Sequence, residues 1–366
     1  MTNYAQWLGV WVTNDTTLFP QASLDSGDSV DLGYHYAPID YMVAMAVSNA
    51  TVTVLPGTIL AACGAQYGAY LYTNANITCQ GTATSPVWFV RYNTVQEQSN
   101  TNGESGIYTW DGIVLHTLDS TSSQINFNFT DDADFDDSAT TNPITVQNCQ
   151  FYNGTVVPFG VPFSATNCLF RRVEFDGTDR GAGNINIMLC NNLFVAGELI
   201  LAHFQTGNYA FQNNLLDQTA VTTVASSNNA YVTTNYGVVT PENNDVILSN
   251  SPAFEAGILG QYYYPTNLTN LIFKGSELAS AVGLYHYTMT TNNAIEGTNI
   301  VSIGFHFVAC GANGLPLDAN GDGIPDYLED INGNGVVDSG EIGWQATNDL
   351  GLTVIITQPA NNSIIP

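Results

Sequence analysis

At 366 residues the chain is longer than a single globular core usually grows, whereas a solenoid extends along one axis without that limit. Charged residues make up 10% of it and apolar ones 45%, with Asn, Thr, Ser and Gly dominating the polar remainder, which argues against helices and for strands joined by turns. Five basic residues against 32 acidic ones give a net charge of -27, which excludes nucleic acid and anionic membrane surfaces as partners and favours cations.

From the N-terminus, residues 1–46 read as the closing segment of a preceding module or an N-terminal cap. Met1 to Tyr41 carry no basic stretch followed by an apolar core, and no later stretch reaches the ~18 uninterrupted apolar residues of a membrane span. The chain therefore reads as a mature form or an excerpt of a larger modular protein. Gly27–Tyr36 is similar to Gly297–Phe307, and Gly283-Leu284-Tyr285-His286-Tyr287 supplies a third aromatic-His-aromatic copy.

Residues 47–270 carry the main signal. From Val52 to Val246 short apolar runs alternate with Asn, Gly, Thr or Asp, and helical periodicity is not sustained. The clearest register is Asn148-Cys149-Gln150-Phe151, Asn167-Cys168-Leu169-Phe170, Asn191-Asn192-Leu193-Phe194 and Asn213-Asn214-Leu215-Leu216. These begin 19, 24 and 22 residues apart, a spacing that predicts one solenoid coil per repeat. Asn suits such a position because it tolerates a left-handed bend and its amide can bond the copy on the next rung. The pattern resembles the pectate-lyase-like parallel β-helices. The fold class expected is all-β: a right-handed parallel β-helix with a small C-terminal calcium-binding linker. An array of β-sandwiches with accidental Asn spacing is the alternative.

That register puts Cys149 and Cys168 on neighbouring rungs about 4.8 Å apart, wider than the ~3.8 Å of a relaxed disulfide, and predicts buried free thiols. Six cysteines without a CxxC fit no zinc pattern, and a pairing of Cys63 with Cys79 is left open. Asp131, Asp132, Asp134, Asp136 and Asp137 read as a solvated acidic loop leaving the solenoid, with calcium binding as the other reading. Arg171, Arg172 and Arg180, interleaved with Glu174, Asp176 and Asp179, read as structural ion pairs. The same residues are the nearest the chain comes to the basic group of a polysaccharide lyase or the paired carboxylates of a glycoside hydrolase. Trp88, Tyr92, Tyr108 and Trp110 are candidate sugar-stacking aromatics under that reading.

Residues 271–310 form a C-terminal β segment holding two of the aromatic-His-aromatic copies. His35, His286 and His306, flanked by aromatics, are expected as buried, hydrogen-bonded core imidazoles, while His116 and His203 lack any metal-ligand partner spacing.

Residues 311–345 carry the strongest chemical motif. Asp318, Asn320, Asp322, Asp326 and Glu329 place side-chain oxygens at positions 1, 3, 5, 9 and 12 of a loop, with Gly323 at position 6 and the Ile324 carbonyl at 7. Twelve residues on, Asp330, Asn332, Asn334, Gly335, Val336, Asp338 and Glu341 repeat those roles. Calcium requires six to eight hard oxygen ligands around a tight turn, so the cofactor expected is calcium, bound twice. The loops abut without flanking helices and resemble thrombospondin type 3 or dockerin-type loops, which stiffen rather than switch. Glu329 is the weakest ligand of the set, because Pro325 can start a helical turn that directs it elsewhere. Residues 346–366, with Leu352–Pro359 at their centre, resemble the first strand of a bacterial immunoglobulin-like domain.

Together these readings predict an extracellular or cell-surface structural or adhesive module, its linker stiffened by calcium, with end-to-end assembly into fibres as a variant. Its expected partners are calcium, neighbouring domains, and a polysaccharide or identical subunits. A carbohydrate-active β-helix enzyme is the rival, and no catalytic residue set is assigned.

Overall fold

The computed structural model describes residues 6–8, 11–22, 38–62, 68–91, 113–117, 124–137, 143–158, 162–177, 186–201, 208–221, 227–232 and 244–345. Cys63, His35, His203, Arg180, Asp179, Tyr92, Tyr108, Trp110, the Gly27–Tyr36 repeat and residues 346–366 lie outside them.

The apolar runs form three ladders of parallel strands, visited in turn as the chain winds. The first face stacks Gln6–Leu8, Tyr41–Val43, Ile59–Ala62, Val87–Arg91, Thr130–Asp137, Gln150–Val156, Leu169–Arg171, Leu193–Val195, Leu215–Asp217, Ala230–Val232 and Val246–Leu248. The second stacks Trp11–Val12, Met45–Val47, Gly68–Leu71 and Ile113–Thr117, shares the long strands Thr130–Asp137 and Gln150–Val156, and continues through Glu174–Asp176, Glu198–Ile200 and Ala220–Val221. The third runs from Thr16–Leu18 through Thr51–Val54, Asn76–Gln80, Gln124–Asn128, Ile144–Gln147, Phe163–Thr166 and Asn186–Cys190 to Asn208–Gln212. This is a parallel β-helix. Pairing begins inside segment 1–46 and on the first face ends at Val246–Leu248, so position 47 marks no break in the stack.

Alternate side chains of each strand point inward, where identical residues stack rung on rung. Phe170 lies between Phe151 and Phe194 with ring centroids 4.9 and 4.8 Å away, all three nearly parallel and buried. The corner between the third and first faces explains the asparagine repeat. Asn148, Asn167, Asn191, Asn213 and Asn228 all take left-handed backbone, with φ between 53° and 59°. Asn167 Nδ2 donates to Asn148 Oδ1 at 2.8 Å, and Asn148 Nδ2 to Asn128 Oδ1 at 3.0 Å. The next residue of each repeat forms a second, buried ladder: Asn192 Nδ2 donates to Asn214 Oδ1 and Asn214 Nδ2 to Asn229 Oδ1, each at 3.0 Å. Cys149 and Cys168 occupy that inner position on earlier rungs as buried free thiols.

The acidic run at 131–137 departs from its expected solvated loop. Thr130–Asp137 is an eight-residue strand paired on both sides, and Asp131 is buried. Neighbouring rungs offer backbone partners on both sides of the strand, and that outweighs the poor intrinsic strand preference of aspartate.

After Val246–Leu248 the chain runs back along the asparagine corner. Ser276 N donates to Asn213 Oδ1 at 2.8 Å, Asn191 Nδ2 to the Ser302 carbonyl at 3.4 Å, and Asn167 Nδ2 to the His306 carbonyl at 3.0 Å. The outward residues Leu169, Leu193 and Leu215 are covered by Tyr263, Tyr264, Leu271, Ile303, Phe305 and Phe307. Two aromatic-His-aromatic copies meet here, since Tyr287–Thr288 pairs antiparallel with Phe307–Val308. His286 and His306 are buried and hydrogen-bonded, as expected of core imidazoles. Among the described residues no helix is long and apolar enough to cross a membrane.

This covering segment also buries a carboxyl. Glu296 accepts hydrogen bonds from Ser302 N at 2.9 Å and Ser302 Oγ at 2.8 Å, and burial pushes its carboxyl up to about 7, partly offset by those bonds. The folded protein thus keeps a proton that an ordinary glutamate releases near 4.5. The stability this contributes is fully present below about 4.5 and is lost as pH rises through about 7. Glu296→Gln, neutral throughout, is expected to gain stability relative to wild type across that window in denaturant titrations. A pH-independent difference between the two proteins contradicts the assignment.

Candidate metal centre

The tandem loops are fastened at both ends. Before them, Asp326 N donates to the Leu317 carbonyl at 2.8 Å. Pro325 then leads into a single turn of helix, Asp326–Glu329, whose Tyr327 reaches the solenoid: its hydroxyl accepts from Ala83 N at 3.0 Å and its ring meets Phe129 edge-on at 5.5 Å. The second loop docks on the histidine segment, where Tyr285 N donates to the Gly333 carbonyl at 3.0 Å and His286 Nε2 lies 2.9 Å from Asp330 Oδ2. Gly333 is required by this contact, because its φ is +64° and a Cβ there would lie 2.2 Å from the Gly283 carbonyl oxygen. Trp344 closes the second loop, its ring 4.7 Å from that of His286.

Both loops fold around the same frame of hydrogen bonds. The position 1 carboxylate accepts from the glycine amide at position 6: Gly323 N to Asp318 Oδ2 at 2.9 Å, and Gly335 N to Asp330 Oδ2 at 2.6 Å. Asn320 Oδ1 and Asn332 Oδ1, at position 3, accept from the amides of Asp322 and Asn334 at 3.0 and 3.1 Å. Asp322 Oδ1 and Asn334 Oδ1, at position 5, accept from Ile324 N and Val336 N at 2.8 and 2.6 Å. Position 12 reaches back across each loop. Asn320 Nδ2 donates to Glu329 Oε1 at 3.3 Å, and Asn332 N to Glu341 Oε1 at 3.2 Å. The helical turn after Pro325 is present, and Glu329 nonetheless stays in touch with position 3. Position 9 closes the ring, with Asp326 Oδ1 accepting from Ala319 N and Asp338 Oδ2 from Asn332 Nδ2 and Asn334 Nδ2.

The electrostatics are those of crowded acids. Burial, then the Asp322 charge, pushes the Glu329 carboxyl up to about 7, and burial also raises Asp326. Asp338 is lowered by the amides of Asn332 and Asn334. Glu329 Oε2 is buried without a hydrogen-bond donor. An acceptor left so is stabilised by a cation and costs free energy without one.

Among the described residues, no three or more His, Cys, Asp or Glu side chains cluster as a ready metal cage. The donor set of the loops differs from such a cage, because asparagine oxygens and the Ile324 and Val336 carbonyls are interleaved with the acids. Hard-oxygen sets of this mixed kind suit calcium rather than zinc.

Of the remaining candidates, Arg171 and Glu174 lie on successive strands of the solenoid, Leu169–Arg171 and Glu174–Asp176. Arg171, Arg172 and Glu174 are exposed, while Asp176 is buried. His116 lies on the strand Ile113–Thr117. Comparison of the chain with protein-family models, curated proteins and solved structures gives no match. Sequence reasoning missed two features: the His286 tether on Asp330, 44 residues away in the chain, and a cleft on the first face beside Asp131. Neither has a local signal, since each joins residues from separate segments.

Proposed function

We propose that the chain is a secreted or cell-surface structural or adhesive module, in which the β-helix is a rigid display rod and two calcium ions lock the 318–341 loops against it. The observation that carries this reading is the double loop itself. Carboxylates and amides recur at the same positions of two consecutive 12-residue turns on one hydrogen-bond frame, with a buried, undonated Glu329 oxygen between them. Asp318, Asn320, Asp322, Asp326, Glu329 and the Ile324 carbonyl hold the first ion. Asp330, Asn332, Asn334, Asp338, Glu341 and the Val336 carbonyl hold the second.

Because Tyr327 and Tyr285 tie the loops to the solenoid and its covering segment, calcium here stiffens a docked strap. Neighbouring domains and a polysaccharide or identical subunits are the partners this reading proposes, and strand edges at solenoid ends support fibre assembly. The rival enzyme needs two carboxylates, or an arginine with carboxylates, converging in one groove. Among the described residues that line the cleft beside Asp131, Asp131 is the one titratable group, fewer than either mechanism needs.

Calorimetric titration of the chelator-treated intact chain is expected to find two calcium sites with dissociation constants on the order of 10⁻⁴–10⁻³ M. Asp318→Ala should remove one and Asp330→Ala the other. Absence of binding in that range, or full stoichiometry in both variants, defeats the proposal.

A further inference from the structure

The outward column of the first face changes character along its length. Leu169, Leu193 and Leu215 are in register and fully covered. On the preceding rungs the same column holds Gln150, then Asp131, then Trp88. Beside these three residues lies a cleft of about 380 Å³, to which the covering segment contributes Ile258 and Leu259. That volume falls in the range of small-ligand sites.

The cleft is built rather than left over. Asp131 is only 5% exposed, is hydrogen-bonded by Gln150, and is pushed up to about 7 by burial. Gln150 Oε1 is itself held by the Tyr152 hydroxyl at 2.8 Å. Covering a carboxyl costs free energy that a leucine, as found on the next rungs of this column, would avoid. A buried titratable group that the packing does not need, set in a concave site, marks a binding function.

The lining also selects the ligand. Asp131 and Gln150 offer hydrogen-bond donors and acceptors, while Trp88, Ile258 and Leu259 offer apolar surface. No basic residue is among the described lining residues, and the chain carries a net charge of -27, so anions are disfavoured. A ring with hydroxyls at its edge and C–H groups on its face satisfies both walls. We propose that this cleft binds one pyranose ring of a neutral glycan, with Trp88 as its apolar platform and Asp131 and Gln150 as partners of its hydroxyls. The cleft borders the first calcium loop, since Ala83 and Phe129 of its lining contact Tyr327, but none of the proposed calcium ligands lines it.

The test is calorimetry on the intact chain, in calcium and in chelator. The probes are neutral tetrasaccharides of glucose, mannose, xylose and N-acetylglucosamine, with tetragalacturonate and tetraglucosamine as charged counterparts. At least one neutral probe is expected to bind with a dissociation constant of about 1 mM or tighter. Trp88→Ala and Gln150→Leu should each weaken it about tenfold. Leucine fits at 150 because Leu169 holds the same place one rung on, so Gln150→Leu decides the matter if Trp88→Ala lowers the melting midpoint. The proposal is overturned if no neutral probe binds at that strength, if Gln150→Leu binds as wild type does, or if a charged probe is preferred.

Discussion

Chelating calcium is expected to destabilise the 251–345 segment by about 5 kcal/mol relative to protein held at a hundredfold excess over the dissociation constant. Each independent site contributes about 2.7 kcal/mol at that excess, and two are proposed. The effect should be local. Hydrogen exchange should accelerate at Ala83 N and Tyr285 N, which bond Tyr327 and Gly333, and stay slow at Leu193 N inside the stack. Without cations the carboxylates at 318, 322, 326, 329 and 330 would repel one another, and the Tyr327, Tyr285 and His286 contacts would be left to hold the loops in place. Scanning calorimetry with and without chelator measures the loss. An unchanged transition, or one in which the solenoid and its covering segment lose stability equally, would rule out calcium as a local lock.

Asn214→Ala should cost about 3 kcal/mol although it removes few atoms. The Asn214 amide donates to the Leu189 carbonyl at 2.7 Å and to Asn229 Oδ1 at 3.0 Å. Its oxygen accepts from Asn192 N and from Asn192 Nδ2, each at 3.0 Å. Alanine leaves the Asn192 amide and the Leu189 carbonyl without these partners in a site closed to water, at roughly 1–3 kcal/mol per orphaned group. Asn250→Ala, at an exposed position, should stay within about 0.5 kcal/mol of wild type. Urea denaturation of the two variants decides the matter: equal midpoints would mean that the inner ladder is dispensable and the coil is held by its apolar stack alone.

The residues that mark the coil are legible because each answers a local demand. Asn148, Asn167, Asn191 and Asn213 sit where the backbone turns left-handed, and that requirement recurs with every winding. The Asp, Asn and Gly spacing of the 318–341 loops is legible for the same reason, since each loop closes on itself through bonds spanning twelve residues or fewer. The acidic strand was misread because its own composition opposes a strand; the rungs on either side, at Val87–Arg91 and Gln150–Val156, impose one. The cleft was hidden because Trp88 and Asp131, far apart in the sequence, become neighbours only through the register of adjacent rungs.

Sequence alone therefore determined the winding, the thiols at Cys149 and Cys168, and the oxygen-rich loops, because periodic and short-range constraints are written in neighbouring residues. Tertiary structure alone decided that residues 251–345 return along the asparagine corner, that His286 grips Asp330, and that a leucine column opens into a polar cleft. Those outcomes depend on which distant surfaces bury each other, as His306 does with Asn167 across 139 residues, and no local pattern encodes that choice.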